Sequence, residues 1–305
     1  MRRVRYESQG GPLFLEEAAV PEPAPGELLV RCEAVGVTLP VVRKVTEAAE
    51  PIPLGGEIAG EIVAVGEGVT RFRTGERVTG LCFGHGYADF APLQEAMASP
   101  VPDGATAVDA VALVRSGLVA LGALTAARPE PGESALVTAA ASGVGHLAVQ
   151  LARTRGAARV VGAVSDPGKA DFVRSLGADE VVSYGDASWG APVGYALDAV
   201  GGDLLAPAIA ALAPGGRLVA YSSGGGTFQA YDLLVGAKSV IGFQMARIAR
   251  GEPELYERWR QELWSLFAAG ALQPALHGEF SLEDAALAHA VIESRDNRGK
   301  VVLRP

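Results

Sequence analysis

The sequence predicts a two-domain α/β protein, a small β-barrel or sandwich followed by a doubly wound parallel sheet. Three observations predict it. Short β-like runs broken by Gly and Pro fill residues 1 to about 105; strands and helices alternate from 106 to about 245; and a strand, a small-residue turn, a helix and a second strand follow in order at 134–164. Many short strands with frequent turn signals favour a barrel or sandwich. Strand–helix alternation favours a parallel sheet covered on both faces.

The first stretch contains 28–31 (LLVR), 58–65 (IAGEIVAV) and 77–79 (RVT), separated by turn-rich pieces such as GEGVTRFRTGE. In the second stretch, strands are predicted at 134–138, 159–164, 180–183, 195–197, 217–221 and 239–242, with helices such as 146–155 and 168–176 between them. A long helix at 253–269 carries Leu255, Trp259, Leu263 and Phe267 on one stripe. A further helix begins near Ser281, where Ser281 and Asp284 have capping-box spacing. KVVLRP reads as a last strand, expected to return to the first domain.

Composition narrows the function. The 305 residues are 49 % hydrophobic and 20 % charged, enough apolar mass for one large core or two smaller ones, which excludes disorder as the main state. Basic residues number 26 and acidic ones 35, a net charge of −9. That balance disfavours nucleic acid and anionic membrane surfaces as partners, since both need a cationic face. Cys32 and Cys82 support neither a disulfide framework nor a four-thiolate zinc site. The basic N-terminus has no apolar stretch behind it, and no run approaches 18 uninterrupted apolar residues. A cytoplasmic protein is expected.

The most informative segment is ESALVTAAASGVGHLAVQLARTRGAARVVGAV. Gly143 and Gly145 lack a Cβ and let the backbone approach a pyrophosphate, while the helix behind them offers unpaired N–H groups and a partial positive charge. Ala140 and Ser142 stand where the first and middle glycines of G-x-G-x-x-G would be. The second strand ends at Val164 with no carboxylate at its tip, and Ser165 and Lys169 follow. An acidic residue there would receive a ribose 2′-hydroxyl; its absence favours a 2′-phosphate, and hence NADPH. Asp166 would repel that phosphate unless it caps the next helix with Pro167 at N1, which is the preferred reading.

Other single residues read as structural. His85 is a turn residue, and His146, in the first turn of the phosphate helix, is expected to be neutral. His277 and His289 are assigned to the surface, Cys32 and Cys82 to small buried sites, Trp259 and Trp264 to the core. Glu57, in GGE-x-x-G, reads as structural rather than catalytic.

Motifs along nearly the whole chain resemble the zinc-independent quinone oxidoreductase (zeta-crystallin-like) group of medium-chain dehydrogenases/reductases. They include PEPAPGELLVRCEAVGV, PLGGEIAGEIVAVGEGVTRFRTGERV, GYADF, PGESALVTAAASGVGHLAVQLA, SLGADEVVSY, LDAVGG, LAPGGRLVAYSS and ESRDNRGKVVLRP. The resemblance implies a GroES-like β-barrel catalytic domain from 1–110 and 246–305, and a Rossmann domain from 111–245. It implies hydride transfer from NADPH to a quinone or an electron-poor C=C, with no metal. It assigns Ala141, Ser142, Gly143, Val144 and Gly145 to the pyrophosphate and Ser165, Lys169 and Tyr184 to the 2′-phosphate. Val200, Gly201, Tyr221, Ser222 and Ser223 fall to the remainder of the cofactor, with Phe243 and Arg295 closing over it. A homodimer through the edge strand near 239–245 is implied as well.

The departures lie on the chemistry side. The group's G-V-N pattern, with Asp and Tyr following, becomes Gly36-Val37-Thr38-Leu39-Pro40-Val41-Val42-Arg43, so Thr38, Val41 and Arg43 replace Asn, Asp and Tyr. Arg115 stands where a small or apolar residue is usual. The expected reaction is then reduction of a quinone or of the C=C of an α,β-unsaturated carbonyl. Thr38 and Tyr221 orient the carbonyl, Arg43 or Arg115 stabilises the enolate, and water completes protonation. Both arginines could equally face solvent or pair with Glu57 or another carboxylate. An enoyl-thioester or tailoring reductase is the alternative enzyme, and an NADPH-binding protein without turnover is the alternative of another class.

Overall fold

A computed structural model describes residues 1–221 and 224–305. They divide into two units: Met1–Arg115 with Pro274–Pro305, and Ser116–Gln273. Ser222 and Ser223 lie outside the described residues.

The first unit is built on antiparallel strands. A small ribbon pairs β1 (Arg2–Arg5) with β2 (Phe14–Glu17). The main sheet is organised by β3 (Glu27–Val37), which is buried in two runs, 28–30 and 34–37, with neighbouring side chains on both faces covered. Helix α1 (Leu39–Glu47) follows directly, then β4 (Glu57–Val65), β5 (Arg77–Leu81), β6 (Phe90–Gln94) and β7 (Ala98–Pro100). Along β3 the partner on one side changes: β6 pairs with Glu27–Arg31 and a C-terminal strand with Val35–Val37, while β4 runs along the other side with two register shifts. Such irregularities bend and twist a strand, which rolls the sheet.

Helix α2 (Ala107–Ala127) crosses the boundary between units. It is long and apolar enough to span a bilayer on length and composition, but 78 % of its most apolar window is buried in the protein, as in a core helix.

The second unit alternates strand and helix: β8 (Ser134–Thr138), α3 (Gly145–Thr154), β9 (Arg159–Val164), α4 (Ala170–Ser175), β10 (Glu180–Ser183), β11 (Val193–Asp198), α5 (Leu205–Ala210), β12 (Leu212–Ala220), α6 (Ala230–Gly236), β13 (Ser239–Gly242), α7 (Met245–Gly251) and α8 (Pro253–Ala268). All strands are parallel, in the order β10-β9-β8-β11-β12-β13. The order reverses between β8 and β11, and such a switch point opens a ligand crevice at the strands' carboxyl ends. Leu136, Val161, Ala196, Ile209 and Leu218 are fully or nearly fully buried in its core, each large side chain contributing about 1.5–3 kcal/mol.

The first unit is completed by β14 (Leu276–Ser281), α9 (Ala285–Glu293) and β15 (Lys300–Arg304), with β15 pairing against β3. The helix expected near Ser281 begins at Ala285 instead, with Asp284 at its N-cap making no side-chain cap bond; Ser281 ends β14, and its Oγ accepts from Asp284 N–H at 3.2 Å across the intervening turn.

The expected limits at 110 and 246 need correction. Residues 246–273 group with the parallel sheet, because α8 packs there: Leu263 lies over Gly117, and Trp259 meets the Phe243 ring at 6.5 Å. His289 is buried rather than on the surface; its Nε2 meets Tyr87 Oη at 3.0 Å, and burial lowers it to about 4.

Candidate functional site

The chain between β8 and α3 turns through residues too small to obstruct it. Ala139 takes a left-handed φ of 48°, and Ser142 N–H closes the turn on Ala139 O at 2.8 Å. A Cβ on Gly145 would collide with that same carbonyl, so glycine is required for the helix to begin here. Ser142, where glycine is usual, donates no bulk to the helix; its Oγ accepts from Gly145 N–H at 3.0 Å and so caps α3 from within. His146 follows, buried, with Nδ1 2.9 Å from Ser142 O; burial lowers it to about 4, which keeps the imidazole neutral where a cation would oppose the helix dipole. Ser142, Gly143 and Val144 remain half-buried at the crest. Small residues, main-chain amides and a helix N-terminus together suit a diphosphate.

The tip of β9 settles the Asp166 question. Its carboxylate accepts from Gly168 N–H at 2.8 Å, with Pro167 entering the following turn of 3-10 helix, so its charge is committed to a cap. Ser165 is exposed beside it, and Lys169 is only 5 % exposed at the start of α4. Tyr184, just past β10, accepts at its hydroxyl from Ala139 N–H at 2.8 Å, tying the third strand to the turn after the first. The residues present fit a dinucleotide with a ribose 2′-phosphate in that Asp166 is turned to a cap and Ser165 is exposed at this tip.

A buried carboxylate that sequence reasoning passed over holds the next loop. Asp198, fully buried at the end of β11, accepts from Thr138 Oγ1 at 2.7 Å, Gly201 N–H at 2.9 Å and Val200 N–H at 3.3 Å. Thr138 Oγ1 in turn accepts from Ala199 N–H at 2.9 Å. The tips of β8 and β11 are thus locked, and Val200 and Gly201 are presented on a rigid loop. Tyr221, expected to orient a carbonyl, donates its backbone N–H to Asp198 O at 3.1 Å; its hydroxyl is sealed from solvent with no hydrogen-bond partner among the described residues. Burial, then the nearby Asp198 and Tyr184, hold that phenol above its ordinary range. Phe243, just past β13, lies over Gly122. Ser222 and Ser223, expected cofactor contacts, fall outside the described residues. Arg295 belongs to the first unit, exposed after α9 with φ 58°.

In the first unit, Thr38 is the half-buried residue between β3 and α1, and its carbonyl accepts from Val41 and Val42 N–H. Arg43 pairs along α1 with Glu47 at 3.5 Å, a largely exposed pair. Arg115 lies 3.9 Å from Glu57. Glu57 is 1 % exposed and also contacts the Lys300 ammonium, itself 2 % exposed. Burial pulls Lys300 down to about 7, an effect that the adjoining carboxylate opposes. Gly36 has to be glycine, because a Cβ there would strike the Glu57 side chain. No sequence motif marked Lys300, yet a signal existed: only four of the 26 basic residues are lysines, and two of those, Lys169 and Lys300, are buried. Among the described residues no group of three or more His, Cys, Asp or Glu could hold a metal.

These two units, a mainly antiparallel sheet closed by a parallel β14–β15 pair and a parallel sheet with a nucleotide turn at its switch point, define a two-domain dehydrogenase/reductase. Residues 24–109 match the alcohol dehydrogenase GroES-like domain and residues 143–269 the zinc-binding dehydrogenase domain. The chain is 32 % identical to a quinone oxidoreductase of Pseudomonas aeruginosa, over 100 % of this chain and 99 % of that one. It is 29 % identical to a 2-haloacrylate reductase of a Burkholderia species, over 97 % of each. A mycobacterial protein solved in complex with NADPH superposes with a TM-score of 0.93 at 29 % identity, over the full length of both. The chain belongs to the quinone oxidoreductase group of the medium-chain dehydrogenases/reductases.

Proposed function

We propose that this chain is an NADPH-dependent reductase that delivers hydride to a quinone or to the C=C of an α,β-unsaturated carbonyl, without a metal. One observation supports the cofactor choice: Asp166, next to the tip of β9, accepts from Gly168 N–H as a cap, and Ser165 is exposed beside it where a 2′-phosphate would lie. Ala141–Gly145 would hold the pyrophosphate. Tyr184 would complete the 2′-phosphate site, and Val200, Gly201 and Phe243 would contact the rest of the cofactor. The relatives named for quinone and 2-haloacrylate reduction support the acceptor class.

When bound, NADPH supplies a hydride. The chain's own residues bind and orient. The small-residue turn at 141–145 would let main chain approach the diphosphate, and the Asp198–Thr138 lock keeps the Val200–Gly201 loop from yielding. The Thr38 hydroxyl orients the acceptor oxygen, an arginine stabilises the charge that develops there, and water supplies the proton.

The assembly is a homodimer through β13, the outer strand of the parallel sheet. Beside it, α6 exposes Tyr231, Leu234 and Val235 by 68–76 %, an apolar surface that a second copy would cover. Sedimentation should give a dimer, and Leu234→Glu a monomer.

The deciding experiment follows NADPH oxidation with a naphthoquinone, cyclohexenone and a crotonyl thioester, beside calorimetric titration of NADPH and NADH. Turnover of the first two with tighter NADPH binding is expected. Binding of neither nucleotide, or equal affinity for both, would refute the reading; turnover of the thioester alone would move the substrate to acyl carriers.

A further inference from the structure

The turn after β8 begins on a residue in an unusual conformation. Ala139 has a φ of 48°, the left-handed region that residues with a Cβ seldom enter unless their surroundings hold them there. Three hydrogen bonds hold it. Its N–H donates to Tyr184 Oη at 2.8 Å, its carbonyl accepts from Ser142 N–H at 2.8 Å, and the N–H of the next residue, Ala140, donates to Ala163 O of β9 at 3.1 Å. The same Ala139 carbonyl leaves no room for a Cβ on Gly145, where α3 starts. Two of the three bonds are main chain to main chain. The third comes from a side chain 45 residues further along.

Tyr184 is seated to make that reach. Its own N–H donates to Val164 O at 2.9 Å, against the last residue of β9. In the strand order β10-β9-β8, its side chain starts just past β10 and ends on the turn after β8, so the phenol spans the carboxyl end of the strand between them. The ring is backed by Trp189, 5 % exposed, with ring centroids 6.1 Å apart and planes tilted by 34°. A ring resting on a buried indole keeps its hydroxyl in place. In parallel sheets of this kind the diphosphate lies at the turn after the first strand and the adenosine ribose at the end of the second. Tyr184 therefore runs from one to the other.

We propose that Tyr184 is a positioning residue for the diphosphate turn: its hydroxyl oxygen fixes Ala139 in the left-handed conformation, and so serves NADH as well as NADPH. The inference rests on the dinucleotide reading above and gives Tyr184 a second duty beside the 2′-phosphate. The two duties use different atoms of one hydroxyl. The oxygen accepts from Ala139 N–H, and the O–H hydrogen is what a phosphate oxygen would take. The first duty needs no contact with the nucleotide.

The test is calorimetric titration of NADPH and NADH into the full-length chain, well below the melting midpoint of each variant. Tyr184→Phe keeps the ring on Trp189 and removes only the hydroxyl. It should raise the Kd for NADH about fivefold, the loss expected for one hydrogen bond, and the Kd for NADPH by at least as much. Adding Ala139→Gly should bring NADH back to within about twofold of the unaltered chain, because glycine adopts the left-handed conformation without help. A merely structural hydroxyl would lower the melting midpoint and leave both Kd values alone, and that result overturns the proposal. So does a loss confined to NADPH, or a loss on NADH that Ala139→Gly does not repair. If Tyr184→Phe fails to fold, amide exchange in the unaltered chain decides: saturating NADH should slow exchange at Ala139 at least about fivefold, and unchanged exchange refutes the proposal. Binding of neither nucleotide by the unaltered chain sinks the dinucleotide reading and this inference together, whereas NADH binding indifferent to the hydroxyl sinks only the inference.

Discussion

Replacing Asp198 with alanine should both soften the parallel sheet and weaken dinucleotide binding. The carboxylate is fully buried and receives Thr138 Oγ1 at 2.7 Å, Gly201 N–H at 2.9 Å and Val200 N–H at 3.3 Å. Truncation orphans three donors in the protein interior. Each orphaned buried donor costs about 1–3 kcal/mol, and a water entering the vacated space recovers part, so the total is about 3–5 kcal/mol. At about 2–4 °C per kcal/mol for a unit of this size, the midpoint should fall by about 10 °C. Asn at the same position keeps one acceptor but turns an amide NH2 toward a donor, so about half that loss is expected. Urea unfolding and NADPH titration by calorimetry read the two effects. Affinity should drop at least about tenfold, because the Val200–Gly201 loop would lose its tether. An Asp198→Ala chain with unchanged midpoint and unchanged affinity would show that the lock is dispensable.

Further outcomes are expected elsewhere. Lys169→Met should weaken NADPH by about 10–100-fold and leave NADH within about twofold, since only the former carries the extra phosphate; calorimetry with both nucleotides checks it. Gly145→Ala should cost about 1–3 kcal/mol and abolish tight dinucleotide binding, because the new Cβ meets the Ala139 carbonyl; a melting curve and a titration suffice. His146 and His289 are both held near 4 in the folded state against 6.5 when exposed. The unfolded chain takes up those protons first, so stability should fall as pH drops from about 6.5 to about 4, by up to about 3 kcal/mol per histidine. His289→Gln can keep a partner for Tyr87 and should flatten that acid limb by nearly one proton; an unaltered slope would place the titration elsewhere.

Much of this protein was readable from local pattern. The strands at 134–138, 159–164, 180–183 and 239–242 occur where apolar runs end at turn residues. The Asp166 cap was legible because a cap and its donor lie within three residues of each other. His146 was readable as neutral from its place at a helix start, although burial is what lowers it in the structure. Boundaries were less secure. Strand β12 begins at Leu212, well before the predicted 217, because Leu212 pairs with Val193 of β11 ahead of a Pro-Gly-Gly irregularity, and regular pairing resumes only at Arg217.

The amino-acid order by itself determined the architecture class and the small-residue turn between β8 and α3, both of which depend on neighbours a few residues apart. Only the tertiary structure decided who meets whom at long range. Tyr87 finds His289 across 202 residues, Arg217 finds Glu133 at 2.5 Å, and Glu57 finds both Arg115 and Lys300. It also decided that 246–273 join the parallel sheet. The physical reason is common to all of these. Periodicity records which face of an element is buried, whereas the partner of a buried charge is chosen by strand order and register, which no short window of sequence contains.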